Sequence, residues 1–402
     1  MLTDRSWLDS KATRRLIAAL DAGGIDFRFV GGAVRDALLG RSVADIDLAT
    51  PARPEAVARA VEAAGLKALP TGIAHGTITA VADRRPYEIT TLRRDVETDG
   101  RHAVVAFTDD WRADAARRDF TMNALYADRD GTIIDFFGGE DDARAGRVRF
   151  IGDPGQRIGE DALRILRFFR FHAWYGQSAL DVDGLAACAD LAGTIDRLSG
   201  ERVRVEIMKT LAAPDPVLVW RAMIDSDVMA HAVPAATRVD ALRRMVGLEG
   251  TLGLPPGALR RLAALTGSSA DIVETLKAGL RLSNRDAAHL TTLGAYAARV
   301  ALVGEHAFGR ALYGAEPALV RDAAMLAHVQ TGSPNLAILG DLLNFIESWT
   351  QPAFPLTGSD LVAAGVEPGP ELGRLLAQIE TWWIAADFIP DRGACLAKLN
   401  LL

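Results

Sequence analysis

Strand-forming segments are confined to roughly the first 150 residues of this chain, and no other feature limits its fold as much. Short runs rich in β-branched and aromatic residues recur at 27–30, 46–48, 77–81, 87–92, 103–107 and 132–136, each bounded by turn residues. Residues 33–39 and 55–64 instead carry apolar groups at helical spacing and stop at Gly40 and Gly65, where glycine caps end helices. After Ile151 the strand signal fades. The chain becomes rich in Ala, Leu and Arg with a helical apolar period, broken by Gly or Pro about every 15 to 25 residues. The expected fold class is α+β, with a small mixed sheet in the first domain and all-helical domains behind it.

A length of 402 residues allows about two to four domains of roughly 100 to 200 residues, and clusters at 214–216, 253–257 and 331–334 mark candidate joints. Hydrophobic residues at 49% and charged residues at 24% place the chain among folded proteins rather than disordered ones. Cys188 and Cys395 form no paired motif, which argues against a disulfide framework or a cysteine-rich zinc site. Charges interrupt every apolar run in MLTDRSWLDSKATRRL before a signal-peptide core or membrane span can form, so a cytoplasmic protein without membrane attachment is expected. A net charge of −7 argues against a surface that is a nucleic-acid footprint throughout. Any phosphate-binding site must be local, and arginines do cluster at Arg117-Arg118 and at Arg157, Arg164, Arg167 and Arg170.

In FVGGAVRDALLG, residues 29–40, a strand runs into Gly31-Gly32 and then into a helix. Backbone N–H groups bared at Gly32 favour a bound phosphate, and Arg35 can add a charged contact. A tight strand-to-helix turn without a ligand fits the same residues. Next comes ADIDLAT, where Asp45 and Asp47 flank apolar Ile46 and so project from one face of a strand. Two carboxylates on one face repel, and a divalent cation relieves that repulsion; Mg2+ with oxygen ligands and substrate phosphates is the usual arrangement. The other reading is a solvated edge strand. Glu88, in RRPYEITTLRR, alternates with Tyr87 and Ile89 and offers either a third carboxylate or an exposed strand residue.

The segment DAARRDFTMNALY, 114–126, sets Arg117 and Arg118 beside Asp119 and Asn123, combining charge for a triphosphate with groups that hydrogen-bond ribose hydroxyls. The same charges suit an ordinary helix N-terminus. In GEDALRILRFFRFHAWY, 159–175, the helical pattern is strong, and Asp161, Arg164, Arg167 and Arg170 recur at every third residue as a diagonal stripe. A carboxylate beside a guanidinium on a rigid helix presents an acceptor and a donor fork that can read the edge of a base. A solvated face with an i,i+3 ion pair is the other reading.

Taken in order, GGAVRD, DID, EITTLR, RRDFTMNAL and EDALRILRFFRF resemble the motifs of the class II tRNA nucleotidyltransferases, the CCA-adding enzymes of the polymerase-β-like superfamily. The likeness lies in the first 175 residues or so, and beyond about residue 230 no motif is assignable. The resemblance implies a nucleotidyltransferase head (1–148), a helical neck that reads the nucleobase (149–225), and a helical body and tail that grip tRNA (226–402). It implies that Gly32 and Arg35 hold nucleotide phosphates and that Asp45 and Asp47 bind Mg2+, with Glu88 as the third carboxylate. Arg118 and Asp119 would contact the nucleotide and its ribose. Asp161 and Arg164 match the family's protein template for CTP and ATP, with Arg167 and Arg170 as further nucleotide contacts. Residues 94–102, including Asp99-Gly100-Arg101, resemble the loop that assists the switch from C to A. The implied activity is addition of CCA to the 3′ end of tRNA with release of pyrophosphate. Its partners are tRNA, CTP and ATP, and no protein partner is implied. No His-Asp dipeptide occurs, so the metal phosphohydrolase domain that some relatives append is not expected.

A poly(A) polymerase of the same family shares these motifs but is expected to use a basic extension, which the largely apolar 394–402 does not supply. An enzyme adding only part of CCA is a nearer alternative. A non-catalytic RNA-binding protein has no use for three acidic groups converging on one cleft, where repulsion costs stability. A small-molecule nucleotidyltransferase leaves the arginine stripe and the long helical part without a role.

Overall fold

The computed structural model describes residues 2, 4–73, 76–99, 102–302, 309–310, 313–331 and 336–402. The chain forms two compact units, Met1–Pro234 and Ala235–Leu402. Residues 1–148 and 149–225 both fall within the first.

Seven strands of the first unit form one sheet: β1 (Arg28–Val30), β2 (Asp47–Thr50), β3 (Lys67–Gly72), β4 (Thr77–Ala82), β5 (Arg85–Thr91), β8 (Tyr126–Ala127) and β9 (Ile133–Ile134). Their order is β3-β4-β5-β2-β1-β8-β9. The strands β6 (Arg93–Asp99) and β7 (His102–Phe107) pair separately as an antiparallel ribbon. Of the segment likened to a C-to-A switch loop, Gly100 and Arg101 lie outside the described residues.

The β2–β5 pair is parallel, whereas β1 pairs antiparallel with β2. Both registers start at Asp47, which faces Val30 on one side and Glu88 on the other. The strand therefore begins at Asp47 and runs to Thr50, and Asp45 lies in the segment leading into it, not on it as expected. Alternation survives this shift: Ile46 and Leu48 are buried, while Asp45 and Asp47 are exposed. Strands β3, β6 and β8 go beyond those expected. Of these, β3 carries Pro70 at the edge of the sheet, where a missing N–H is tolerated, and β8 is only two residues long.

Helix α1 (Lys11–Ala22) packs on α3 (Pro54–Ala63), and both lie against β4. Between them in sequence, α2 (Gly32–Leu38) follows β1 directly. Helices α4 (Trp111–Ala116) and α5 (Gly139–Arg144) flank the segment that carries Arg117, Arg118 and Asp119.

Beyond β9 every described element is a helix, as the loss of strand signal predicts. The helix expected over 159–175 is broken, however. It divides into α6 (Pro154–Glu160) and α7 (Leu163–Tyr175), with Asp161 extended between them at φ −154° and ψ 106°. Its Oδ1 accepts the Leu163 N–H at 3.1 Å. Such side-chain bonding to nearby backbone is why Asp favours helix starts over interiors.

Four buried phenylalanines seat α7 against the sheet-bearing part. Phe120 lies 4.9 Å from Phe150 and 5.3 Å from Phe171, and Phe150 stacks on Phe168 at 5.6 Å between ring centres. Edge-to-face and stacked rings of this kind hold a helix at a defined height. Two shorter helices, α8 (Val182–Asp190) and α9 (Gly200–Leu211), follow, and α9 packs along α7.

The second unit is helical throughout its described residues. Its buried Glu249 accepts from Arg260 and Arg261, each at 2.6 Å, and Arg260 reaches Asp322 at 2.7 Å. Paired and bonded in this way, the charges avoid the large cost of isolated burial. A separate cluster gathers Leu361, Ile379, Trp383 and Cys395.

At Gly139 an added Cβ would lie 2.1 Å from the Thr121 carbonyl oxygen, in the short turn that carries Asn123. Gly139→Ala should therefore destabilise the first unit by about 2 kcal/mol, an ordinary cost of overpacking. A urea unfolding midpoint equal to that of the parent protein would contradict this.

Candidate functional site

Beside the β1–α2 turn opens a cavity of about 740 Å3. Its lining includes Gly32, Arg35, Asp45, Asp47, Arg118, Asp119, Asp161, Arg164, Arg167 and Arg170, so residues spread over 139 positions of sequence meet in one space. Glu88 stands on the neighbouring strand and, among the described residues, is not part of that lining.

The turn itself is built for close approach. Gly31 sits at φ +72°, a left-handed conformation that a side chain would strain, and a Cβ there would come within 3.4 Å of Arg118 Nη1. Arg35 does not reach freely toward a ligand. Its Nη1 donates to Asn123 Oδ1 at 2.5 Å, its Nε to Asp36 Oδ1 at 2.9 Å, and its Nη2 to the Tyr175 hydroxyl at 2.6 Å. Six per cent exposed, Arg35 is held by these bonds where it lines the cavity.

The acidic end of the cavity is the rung where β2 meets β5. Asp47 opens on the cavity but has protein around most of its carboxylate. That desolvation, with the adjacent Glu88, pushes its carboxyl up to about 6 against the pull of Arg118; Asp45 adds to the rise. Among the described residues no group of three Asp, Glu, His or Cys side chains is arranged to hold a metal by itself. The donors present are nevertheless hard carboxylate oxygens that repel one another, a set that suits a divalent cation completing its shell with ligand oxygens and water.

Much of the remaining lining is cationic. Arg118 ion-pairs with Asp114 at 3.3 Å, and its Nε is buried with no hydrogen-bond partner among the described residues. Burial works to raise the Asp114 carboxyl, yet Arg118, Arg117 and the Tyr126 hydroxyl together hold it below the usual range. Asp119 is similar: burial opposes ionisation, but Arg167, Asn123 and the Phe120 N–H outweigh it. Arg167 Nε donates to Asp119 at 2.7 Å, and Asn123 Nδ2 does so at 3.0 Å. The Asp119 carboxylate is thus occupied within the protein.

The anticipated i,i+3 pairing of Asp161 with Arg164 does not form, because the helix breaks between them. Both face the cavity, with different partners. Asp161 Oδ2 accepts from Arg202 Nη2 at 2.7 Å. Arg164 is ion-paired with Glu160 and donates to the carbonyl oxygens of Arg157, at 2.7 Å, and Arg117, at 3.2 Å. Arg170 Nε donates to buried Glu206 at 2.5 Å.

Three residues of α9 enter here without having been singled out in the sequence. Arg202 and Lys209 line the cavity, and Glu206 lies behind Arg170. Their spacing of i, i+4 and i+7 marks one helix face, and that periodicity was the signal available.

Acidic and cationic groups lining one cavity suit a ligand bearing both a metal-associated phosphate chain and a base, which is the demand on a nucleotidyltransferase. Residues 27–149 match the family described as Poly A polymerase head domain, and 180–239 match the one described as Probable RNA and SrmB-binding site of polymerase A. Over 386 residues the chain is 34% identical to the CCA tRNA nucleotidyltransferase 1, mitochondrial, of Mus musculus, covering 93% of this chain and 86% of that one. It is 31% identical over 382 residues to the CCA-adding enzyme of Lacticaseibacillus paracasei, covering 94% and 93%. The solved structure of the Bacillus stearothermophilus CCA-adding enzyme in complex with CTP shares its fold at a TM-score of 0.77 and 26% identity, covering 97% of this chain and 96% of that one. The chain belongs to the family of CCA-adding tRNA nucleotidyltransferases. Among its described residues no helix is long and apolar enough to cross a membrane.

The raised Asp47 carboxyl carries a stability consequence. Its folded form holds a proton more tightly than its unfolded form, so ionisation costs stability; the penalty is absent below about pH 4, grows up to about pH 6 and is complete above. Asp47→Asn should raise the thermal midpoint of the metal-free protein at pH 8, with the gain fading between pH 6 and pH 4. A gain independent of pH would contradict the assignment.

Proposed function

We propose that this protein adds C, C and A to the 3′ end of tRNA from CTP and ATP, within a head at 1–148 and a base-reading neck at 149–225. The 3′-hydroxyl oxygen bonds to the α-phosphorus, the bond from that phosphorus to the pyrophosphate oxygen breaks, pyrophosphate leaves with that bond's electron pair, and the hydroxyl proton passes to water. Mg2+, held by Asp45 and Asp47 with Glu88 beside them, would supply Lewis acidity toward the hydroxyl and the triphosphate. The side-chain-free turn at Gly31-Gly32 lets the phosphates approach the backbone, and Arg118 opposes their charge.

The observation that carries this reading is the presence of Asp161 and Arg164 in the same cavity as the aspartates. A carboxylate accepts from an amino group, and a guanidinium donates to a ring acceptor. Cytosine and adenine both offer that donor–acceptor order on their pairing edges, whereas uracil and guanine reverse it. One acceptor and one donor thus accept both nucleotides that CCA needs and refuse the other two. Arg202 holds the Asp161 carboxylate, so its orientation is set before a nucleotide binds.

Incubation with tRNA lacking one, two or three terminal nucleotides, with CTP, ATP or both, should give products that stop at CCA. A long A tail would mean a poly(A) polymerase, and arrest at CC or addition of A alone a partial enzyme. Asp47→Ala should abolish incorporation of both nucleotides with tRNA affinity retained. Asp161→Ala should lower the preference for CTP over UTP by about 10- to 100-fold, the value of a charged hydrogen bond; unchanged selectivity would remove its base-reading role.

A further inference from the structure

Besides its bonds to α9, helix α7 is tied down at three points. Arg164 at its start bonds the carbonyl oxygens of Arg117 and Arg157, and Arg167 in its middle bonds Asp119. The third tie is Tyr175, in its last turn, and it runs to α2. The Tyr175 hydroxyl accepts from Arg35 Nη2 at 2.6 Å and donates to Asp36 Oδ1 at 3.0 Å. Asp36 Oδ1 in turn accepts from Arg35 Nε at 2.9 Å, which closes a three-membered set.

The set extends further. Arg35 donates to Asn123, Asn123 to Asp119, and Asp119 accepts from Arg167, so the bonds leave α7 at Tyr175 and return to it at Arg167. The guanidinium carbons of Arg35 and Arg41 also lie 4.1 and 4.5 Å from the centre of the Tyr175 ring. Arg35 is on α2 and Arg41 follows it, so the Tyr175 ring meets two points of the chain that leads from the glycine turn to Asp45. Half-buried, the phenol is raised above its usual pKa by desolvation, which keeps its proton available to Asp36.

We propose that Tyr175 is a positioning residue that sets the spacing between the phosphate-binding turn and the base-reading helix. The proposal rests on the reading of this cavity as a CTP and ATP site. A nucleoside triphosphate must satisfy both grips at once, so a change in their spacing weakens the whole ligand and leaves its separate halves unaffected. Neither helix supplies this link alone. The glycine turn is on α2, and Arg164 is on α7.

The test uses the full chain with Mg2+ present and compares it with Tyr175→Phe, which keeps the ring and its contacts with both arginines. Calorimetric titrations with CTP, cytidine and pyrophosphate read the whole ligand and its two ends. CTP and ATP should each bind about tenfold more weakly, a fall of about 1.4 kcal/mol in binding free energy. Binding of cytidine and of pyrophosphate and the CTP-over-UTP preference should stay as in the parent, while the thermal midpoint falls because two hydrogen bonds to charged groups are lost. Unchanged CTP affinity, a loss confined to pyrophosphate, or a parallel loss of all three ligands would each overturn the proposal. Tyr175→Leu, if it folds, should bind CTP more weakly than Tyr175→Phe; if it does not fold, the Phe variant decides alone. A parent protein that binds no CTP would overturn the nucleotide reading itself, whereas normal parent binding with an unaltered Phe variant overturns only the role of Tyr175.

Discussion

The cavity depends first on the pair between buried Asp119 and part-exposed Arg167. Asp119 belongs to the sheet-bearing part and Arg167 to α7, and their contact at 2.6 to 2.7 Å fixes how the two meet. Burying a carboxylate is costly, but two further donors, Asn123 and the Phe120 N–H, complete its shell. A group satisfied this fully has nothing to gain by moving. The phenylalanine cluster beneath gives the same joint its apolar stability, so polar orientation and hydrophobic adhesion act at one place.

Around that joint the cavity is a problem in holding like charges together. Arg118, Arg164, Arg167 and Arg170 would repel one another if left bare. Each instead has an acidic partner: Asp114, Glu160, Asp119 and Glu206 respectively. Three of these acids, Asp114, Glu160 and Glu206, are not part of the cavity lining, which leaves a largely cationic front on a chain whose net charge is −7. A local field of this kind needs no basic surface elsewhere.

What was legible in the sequence was what local periodicity encodes. The confinement of strands to the first part, the alternation at Asp45, Ile46 and Asp47, and the glycine turn all follow from neighbours a few residues apart. The helix break at Asp161 was not legible, because apolar spacing runs across it and an aspartate that caps cannot be told from one that tolerates a helix interior. Nor was the inward hold on Arg35. Its partners Asn123 and Tyr175 lie 88 and 140 residues away, and only the fold brings them near. Arg202, Glu206 and Lys209 shared a visible helix face, but nothing in their own stretch says which cavity that face meets.

Asp47 and Glu88 share one rung of a parallel ladder. Their separation is thereby set by the spacing between hydrogen-bonded strands, about 4.8 Å, and not by side-chain packing around them. In evolutionary terms the ladder is a ruler that the sequence does not have to re-specify. Core residues on either side of the sheet can drift in size and identity without retuning the acidic end, whereas a one-residue slip of either strand would turn its carboxylate to the opposite face.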